Sequence, residues 1–205
     1  YQRFIKNYLR CIDSVDENLG RVLDYLDENN LTENTIVIYS SDHGFFLGNH
    51  GLYNKGWMFE DAIRIPCLIR WPNKISAGLQ LKQLTQNIDL APTLIEAAKL
   101  APPSTTEGKS LIPLLSGSTE ENLRDSIYYR FVAKSNHNIP KQDGVRTKRY
   151  KLIHIASTNE YNLFDLEEDP LEMIDLSKHK EYKVILQMMK SKLKQKRIKY
   201  PAPPE

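Results

Sequence analysis

The sequence has 205 residues, 40% of them apolar and 26% charged, and its formal net charge is +2. That size suits one domain, or one domain with a small appendage, of ordinary soluble composition. No apolar run approaches the roughly 18 residues of a membrane-spanning helix, and the near-neutral charge gives no reason to expect nucleic acid or an anionic membrane as partner. The opening Tyr1-Gln2-Arg3-Phe4 carries neither a start methionine nor a signal peptide, so a piece of a longer chain is expected.

In chain order, Ile5, Leu9, Ile12, Val15, Leu19, Val22, Leu23 and Leu26 recur at steps of three and four. This predicts a long amphipathic helix ending at Glu28-Asn29-Asn30. Thr35 to Tyr39 is a β-branched run expected to form a buried strand of a parallel sheet. Ser40-Ser41-Asp42-His43-Gly44 follows it, where ligands gather in open α/β sheets. The segment on to Trp57, with Gly48, Gly51 and Gly56, shows no period and is expected to be a functional loop. Glu60 to Ile63 suits one helical turn, and Ile65 to Trp71 a second buried strand stopped by Pro72. The two cysteines, Cys11 on the apolar side of the first helix and Cys67 in this strand, are expected to be buried free thiols. Asp89 is expected to N-cap a helix running to about Leu100. Residues 101 to 125 are rich in Pro, Ser, Thr and Gly and should connect subdomains. Ser126 to Phe131, Gly144 to Ile155 and Tyr161 to Asp165 read as strands of a small antiparallel sheet. A last helix, from about Lys180 to Lys199, carries an apolar stripe through Tyr182, Ile185, Met188, Met189 and Leu193. Its lysines are expected to form a solvated surface.

Asp42 and His43 stand out chemically. A carboxylate directly after a buried strand is placed to hold a metal, although Asp-Gly turns also follow strands for structural reasons alone. His50 and Lys55 lie seven and twelve residues beyond His43 in the glycine-containing loop. A lysine beside a metal-ligating carboxylate suits an anionic substrate, because the cation offsets charge on a transferring oxyanion. Alternatively, Lys55 is an exposed loop lysine, and His50 packs on Trp57 or Phe46.

The run from Ser41 through Asp42-His43-Gly44-Phe45-Phe46-Leu47-Gly48-Asn49-His50-Gly51-Leu52-Tyr53-Asn54-Lys55 to Gly56 resembles the second signature region of the type I sulfatases. Phe59 to Pro72 continues the resemblance, as do Ile88 to Leu94, Gly144-Val145-Arg146-Thr147 and Tyr161 to Leu166. The resemblance implies an α/β fold in two parts. Residues 1–105 would be the C-terminal part of an alkaline-phosphatase-like parallel-sheet sandwich. Residues 106–205 would be a small α+β subdomain with an antiparallel sheet and a terminal helix. It also implies a calcium-ligating role for Asp42, with Mg2+ or Mn2+ as alternatives, and a metal-facing role for His43, as ligand or as donor to the nucleophile. Lys55 matches the lysine that contacts the sulfate. His50 recurs in some members, and Glu60, Asp61, Arg64 and Asp89 fit the pattern but are explained by ion pairing and capping.

Members of that family attack with a formylglycine made within a Cys/Ser-x-Pro/Ala-x-Arg motif. The 205 residues hold no such motif, and Cys67 is followed by Leu68, Ile69 and Arg70. The nucleophile and a further pair of metal-ligating aspartates are therefore expected upstream, and this polypeptide alone is expected to be inactive. The resemblance implies a sulfuric ester hydrolase acting on sulfated carbohydrate in a periplasmic, secreted or lysosomal compartment. His137, Lys141 and Arg146 are candidates for reading a second anionic group of the sugar, against a solvated surface. The rivals are a phosphodiesterase or phosphonate monoester hydrolase of the same superfamily, and a non-catalytic remnant.

Overall fold

The computed structural model describes residues 1–117, 123–132 and 139–202. Helix α1 (Gln2–Glu28) follows the periodicity to its end. Asn30 adopts φ 57°, which a short polar side chain tolerates. The Leu31 amide bonds back to the Leu26 carbonyl and that of Asn30 to Asp27, so the last carbonyls are satisfied. No residue of α1 is buried. Phe4 meets Tyr53 edge-on and Tyr8 stacks on Phe45, but Leu9, Ile12, Val15, Val22 and Tyr25 face solvent.

The runs expected as buried parallel strands form a different arrangement. β1 (Val37–Ser40) carries the first, and its partner three strands later carries the second. Between them lie β2 (Phe46–Leu47), β3 (Tyr53–Asn54) and the single turn α2 (Glu60–Ile63), before β4 (Cys67–Arg70). β1 and β4 pair antiparallel, Val37 opposite Arg70 and Ser40 opposite Cys67. The connection between them holds only short strands and single turns, without the crossover helix that usually joins parallel neighbours. Tyr39 and Leu68 are exposed, and so are both cysteines, contrary to the expectation of buried thiols. An apolar strand sequence records a demand for cover, and the cover for these faces is not among the described residues.

Helix α3 (Leu90–Ala97) begins after a 3-10 turn at Asn87–Asp89. Asp89 does not cap α3 with its side chain, as expected from sequence; it closes a capping box with Gln86 on the preceding turn. Fully buried, it also accepts from the Lys109 amide and, at 2.6 Å on each oxygen, from Arg124. The connecting segment holds one short helix, α4 (Ile112–Leu115), whose Leu114 and Leu115 pack with Leu111 and Leu123.

The remaining strands form one antiparallel sheet in sequence order: β5 (Ile127–Phe131), β6 (Gln142–Arg146), β7 (Tyr150–Ile155) and β8 (Glu160–Asp165). The expected single run over Gly144 to Ile155 is two strands, because Thr147 folds back on Tyr150 through its amide and hydroxyl. Helix α5 (Lys183–Lys199) covers one face: Met189 and Leu193 pack on Val145, Leu152 and Leu163. Side chains alternate across a strand, so Tyr129, Ile153 and Phe164 turn to the other face and bury Met58. The sheet therefore holds its own helix on one side and the segment leading from the Asp42–Lys55 region on the other.

Candidate functional site

β1 ends at Ser40, and the next residues turn sharply. The Gly44 amide donates to the Ala62 carbonyl at 2.8 Å. A Cβ at Gly44 would lie 2.1 Å from the Asp61 carbonyl oxygen, so only glycine permits this approach to α2. The Ser41 hydroxyl donates to the His43 carbonyl, and the His43 amide donates to Asp42 Oδ1 at 3.0 Å. These bonds fix the two candidate ligands relative to each other.

His43 is oriented by its own neighbour. Its Nδ1 lies 2.7 Å from the Gly44 carbonyl, which can only accept, so Nδ1 carries the proton. In the neutral ring the Nε2 lone pair then points outward, the form in which imidazole binds a metal. Nε2 lies 3.3 Å from Asp42 Oδ2 and 2.6 Å from Lys55 Nζ. Asp42 is exposed at 82% of its side-chain surface and His43 at 32%, which leaves both able to receive a ligand. The structure thus brings Asp42, His43 and Lys55 together.

Lys55 reaches this point because its loop is tied to the sheet. Asn54 and Gly56 on either side adopt φ 75° and 108°. The Gly56 carbonyl accepts from the Tyr129 hydroxyl at 2.8 Å and from Gln142 Nε2 at 3.1 Å, and Gln142 also accepts from the Met58 amide. Burial pushes the Tyr129 phenol up to about 12, so it stays a donor. Sequence reasoning missed Tyr129 and Gln142. No local signal marks them, because their partner lies more than 70 positions away in the chain.

The other candidates lie elsewhere. His50, at φ 56°, stacks on Phe59 at 4.2 Å and meets Phe46 edge-on. Its Nε2 is 3.9 Å from Asp61, which also accepts from Asn49. Its ring belongs to an aromatic cluster beside α2, and among the described residues no hydrogen bond joins it to the trio. Arg146 directs its guanidinium to Glu60 at 3.3 Å and to the Thr147 carbonyl. His137 lies outside the described residues. Cys67 opens β4, and desolvation pushes its thiol up, which disfavours the nucleophilic thiolate.

A buried charge cluster lies behind α2. Lys151 is fully buried, with Nζ 2.7 Å from Glu60 Oε1 and 2.7 Å from Glu172 Oε1. These are ionic contacts, since Nζ and Glu172 Oε1 make no well-directed hydrogen bond. Glu172 Oε2 accepts from the Glu60 amide at 2.6 Å. Burial works to raise the Glu60 carboxyl, but Lys151 and Arg146 outweigh it and hold Glu60 below the ordinary range. At Glu172 burial, helped by the negative charge of Glu60, outweighs Lys151 and the Glu60 amide, and the carboxyl is pushed up.

For a divalent cation the chain offers a carboxylate and an outward-facing imidazole, Asp42 and His43. Among the described residues no group of three His, Cys, Asp or Glu forms a complete metal cage. Two such donors would fill only part of the coordination shell of a divalent cation. No helix among the described residues is long and apolar enough to cross a membrane.

A family model described as "N-sulphoglucosamine sulphohydrolase, C-terminal" matches residues 48–199. One for type I phosphodiesterase/nucleotide pyrophosphatase matches residues 6–87. An N-acetylglucosamine-6-O-sulfatase of Bacteroides thetaiotaomicron is 37% identical over 203 residues, or 95% of this chain and 36% of that protein. The protein BT4656, solved in complex with its substrate D-glucosamine-2-N,6-O-disulfate, superposes with a TM-score of 0.88 at 35% identity, covering 92% of this chain and 39% of that one. The phosphonate monoester hydrolase of Agrobacterium radiobacter gives a TM-score of 0.80 at 28% identity, over 92% of this chain and 40% of that one. The chain thus spans about a third of the length of the curated relatives it matches, and it belongs to the sulfatase family, as the C-terminal region of that alkaline-phosphatase-like fold.

Proposed function

We propose that the chain supplies one wall of the active site of a sulfuric ester hydrolase acting on sulfated carbohydrate. The observation that carries this reading is the meeting of His43 Nε2 with Lys55 Nζ at 2.6 Å beside the exposed Asp42 carboxylate, in a chain of this family. Asp42 and His43 would hold a divalent cation, Ca2+ first, with Mg2+ or Mn2+ as alternatives. When bound, such an ion offsets negative charge on sulfuryl oxygens. Lys55 is an exposed ammonium whose tether to the sheet through Gly56 keeps it in place to bind the same oxygens. In the absence of substrate it donates to His43 Nε2, and an arriving sulfate would take over that proton donor. His50, His137 and Arg146 remain candidates for contacts to the sugar, with His50 and Arg146 requiring release from Phe59 and Glu60.

The formylglycine nucleophile would come from outside these residues, since they hold no Cys/Ser-x-Pro/Ala-x-Arg motif. We place the assembled enzyme in a periplasmic, secreted or lysosomal compartment, by family resemblance. The test has two arms. The purified chain should bind Ca2+ weakly by calorimetry, losing that binding in Asp42→Asn, and should not turn over an aryl sulfate. Turnover of that ester by these 205 residues, or Ca2+ binding that is indifferent to Asp42→Asn, would overturn the reading. The phosphodiesterase match over residues 6–87 makes a phosphonate monoester the comparison substrate for an assembled enzyme: faster turnover of that ester would favour the phosphoryl-transfer alternative.

A further inference from the structure

Helix α5 carries seven cationic side chains and no acidic one in 17 residues. Cations in the last turn complement the helix dipole, which accounts for Lys196, Arg197 and Lys199 but not for the bias along the whole helix. Arg197 is committed to Asp143, Lys192 to Asp125, and Lys190 to the Tyr161 ring at 3.9 Å. Two others have no carboxylate. Lys196 donates to the Ser126 carbonyl at 3.1 Å, and Lys199 lies over the Tyr200 ring. Lys109, from the segment before α4, bonds the Leu123 carbonyl. Among the described residues none of these three lysines has a carboxylate within ion-pair distance.

These lysines meet in a cleft of about 550 Å³ between the residue 86–109 segment, the start of β5 and the end of α5. Tyr128 and Tyr200 stack there at 6.0 Å with their planes 12° apart. Glu107 and Asp125 stand at its edge beside Arg124, whose charge is taken by Asp89. The cleft lies on the α5 face of the sheet, where Tyr128 turns. Lys55 and Gly56 are held on the opposite face by Tyr129, and nearer the Phe131 end of β5, about 13 Å of strand away from Ile127. The two sites share no residue.

We propose that this cleft is a second binding site, for a stretch of sulfated oligosaccharide remote from the sulfate being hydrolysed. Discrete sulfates meet Lys109, Lys196 and Lys199, the sugar rings lie along the cleft beside Tyr128 and Tyr200, and hydroxyls donate to Glu107 and Asp125. Those carboxylates would repel the closely spaced phosphates of a nucleic acid, which carry a charge at every residue of the strand. The site rests on the sulfated-carbohydrate reading for the identity of its ligand, but its occupancy does not depend on hydrolysis.

The test is a calorimetric titration of the 205-residue chain with a heparin hexasaccharide and with the same hexasaccharide after desulfation. The sulfated form should bind, with an affinity that falls as salt rises, and the desulfated form should not. The double variant Lys196→Gln/Lys199→Gln should weaken binding by about fivefold or more, since each removes an exposed charge contact. Lys109→Gln, on a separate element, should weaken it in the same direction. Asp42→Asn and Lys55→Ala, which act on the candidate active site, should leave in place the binding that the cleft variants remove. Thermal unfolding checks that the variants fold. Equal binding of the desulfated sugar, indifference to all three lysine substitutions, loss of binding in Lys55→Ala, or tighter binding of single-stranded DNA or of anionic phospholipid vesicles at equal charge would each overturn the proposal. If hexasaccharide binds as described while an assembled enzyme cleaves only phosphonate esters, the catalytic reading fails and the second site stands.

Discussion

Replacing Lys151 with Met tests the energetics that join the sheet to the candidate site. Lys151 is fully buried between Glu60 and Glu172, 2.7 Å from each. At an effective dielectric constant of about 20, a unit charge pair at that distance is worth about 6 kcal/mol before desolvation is subtracted. Removing the shared cation leaves two carboxylates buried against each other, with Arg146 still on Glu60 at 3.3 Å. Breaking a buried pair from one side costs about 3–5 kcal/mol, and that is the loss expected at pH 7. The pH dependence gives the sharper signature. In the native chain Glu60 is held low, so its contribution is present above the unfolded carboxylate pKa and is lost as pH falls. Glu172 is pushed up, so it favours the folded state at low pH and that benefit is lost as pH rises through its folded value. Without Lys151 both carboxyls behave like Glu172, so the variant's deficit shrinks as pH falls from 7 towards 4.5. Urea unfolding followed by tryptophan fluorescence, with Trp57 close to this region, measures both. Adding Glu172→Gln should recover a large part of the loss at pH 7. A deficit equal at the two pH values, or no recovery in the double variant, would refute the electrostatic account.

Three more outcomes follow from the geometry. Gly44→Ala should cost about 1–3 kcal/mol of stability in urea unfolding, because its Cβ would meet the backbone of Asp61 rather than a movable side chain; Ca2+ binding should weaken with it. Asp143 is held below the ordinary range, Arg197 and His154 outweighing the effect of burial, so its contribution exists above about pH 4 and is lost below. Arg197→Leu should lower stability at pH 7 and flatten the fall in unfolding midpoint between pH 5 and 2, both read by urea titration. On α1, Val15→Lys and Val22→Lys should change stability by less than about 0.5 kcal/mol, since both side chains are about half exposed, and should raise the concentration at which the chain aggregates, measured by light scattering.

What could be read from the sequence was what is encoded locally. The 3.6-residue stripe fixed α1 and α5, and alternation marked most of the β5–β8 sheet. The Asp42, His43 and Lys55 grouping was legible because strand, turn and glycine loop lie within 20 residues. Lys151 was not: in Tyr150-Lys151-Leu152-Ile153 it stands at an alternate position that normally faces water, and only Glu60 and Glu172, distant in sequence, make it a core residue. Asp89 looked like a cap because the sequence signal for a cap is short, whereas its partner Arg124 lies 35 positions on. The pairing of β1 with β4 was hidden for another reason. Apolar β-branched runs look the same in parallel and antiparallel sheets when both are meant for burial.

Three of the residues hidden from sequence reading share one location. Lys151, Gln142 and Tyr129 all reach across from the sheet to the segment between Lys55 and Glu60, and none of them touches a candidate ligand. Gln142 and Tyr129 hold Gly56, next to Lys55. Lys151, Arg146 and Glu172 hold Glu60 at the start of α2, and the Ala62 carbonyl of that helix holds the Gly44 amide, next to His43. Lys55 and His43 are therefore positioned by two separate routes from one rigid sheet. Their 2.6 Å contact is set by the sheet rather than by the loop sequence in which both residues lie. Lengthening the loop between Leu47 and Tyr53 should accordingly disturb this contact less than truncating Gln142 to Ala, which removes a hydrogen bond to Gly56 and one to Met58 together.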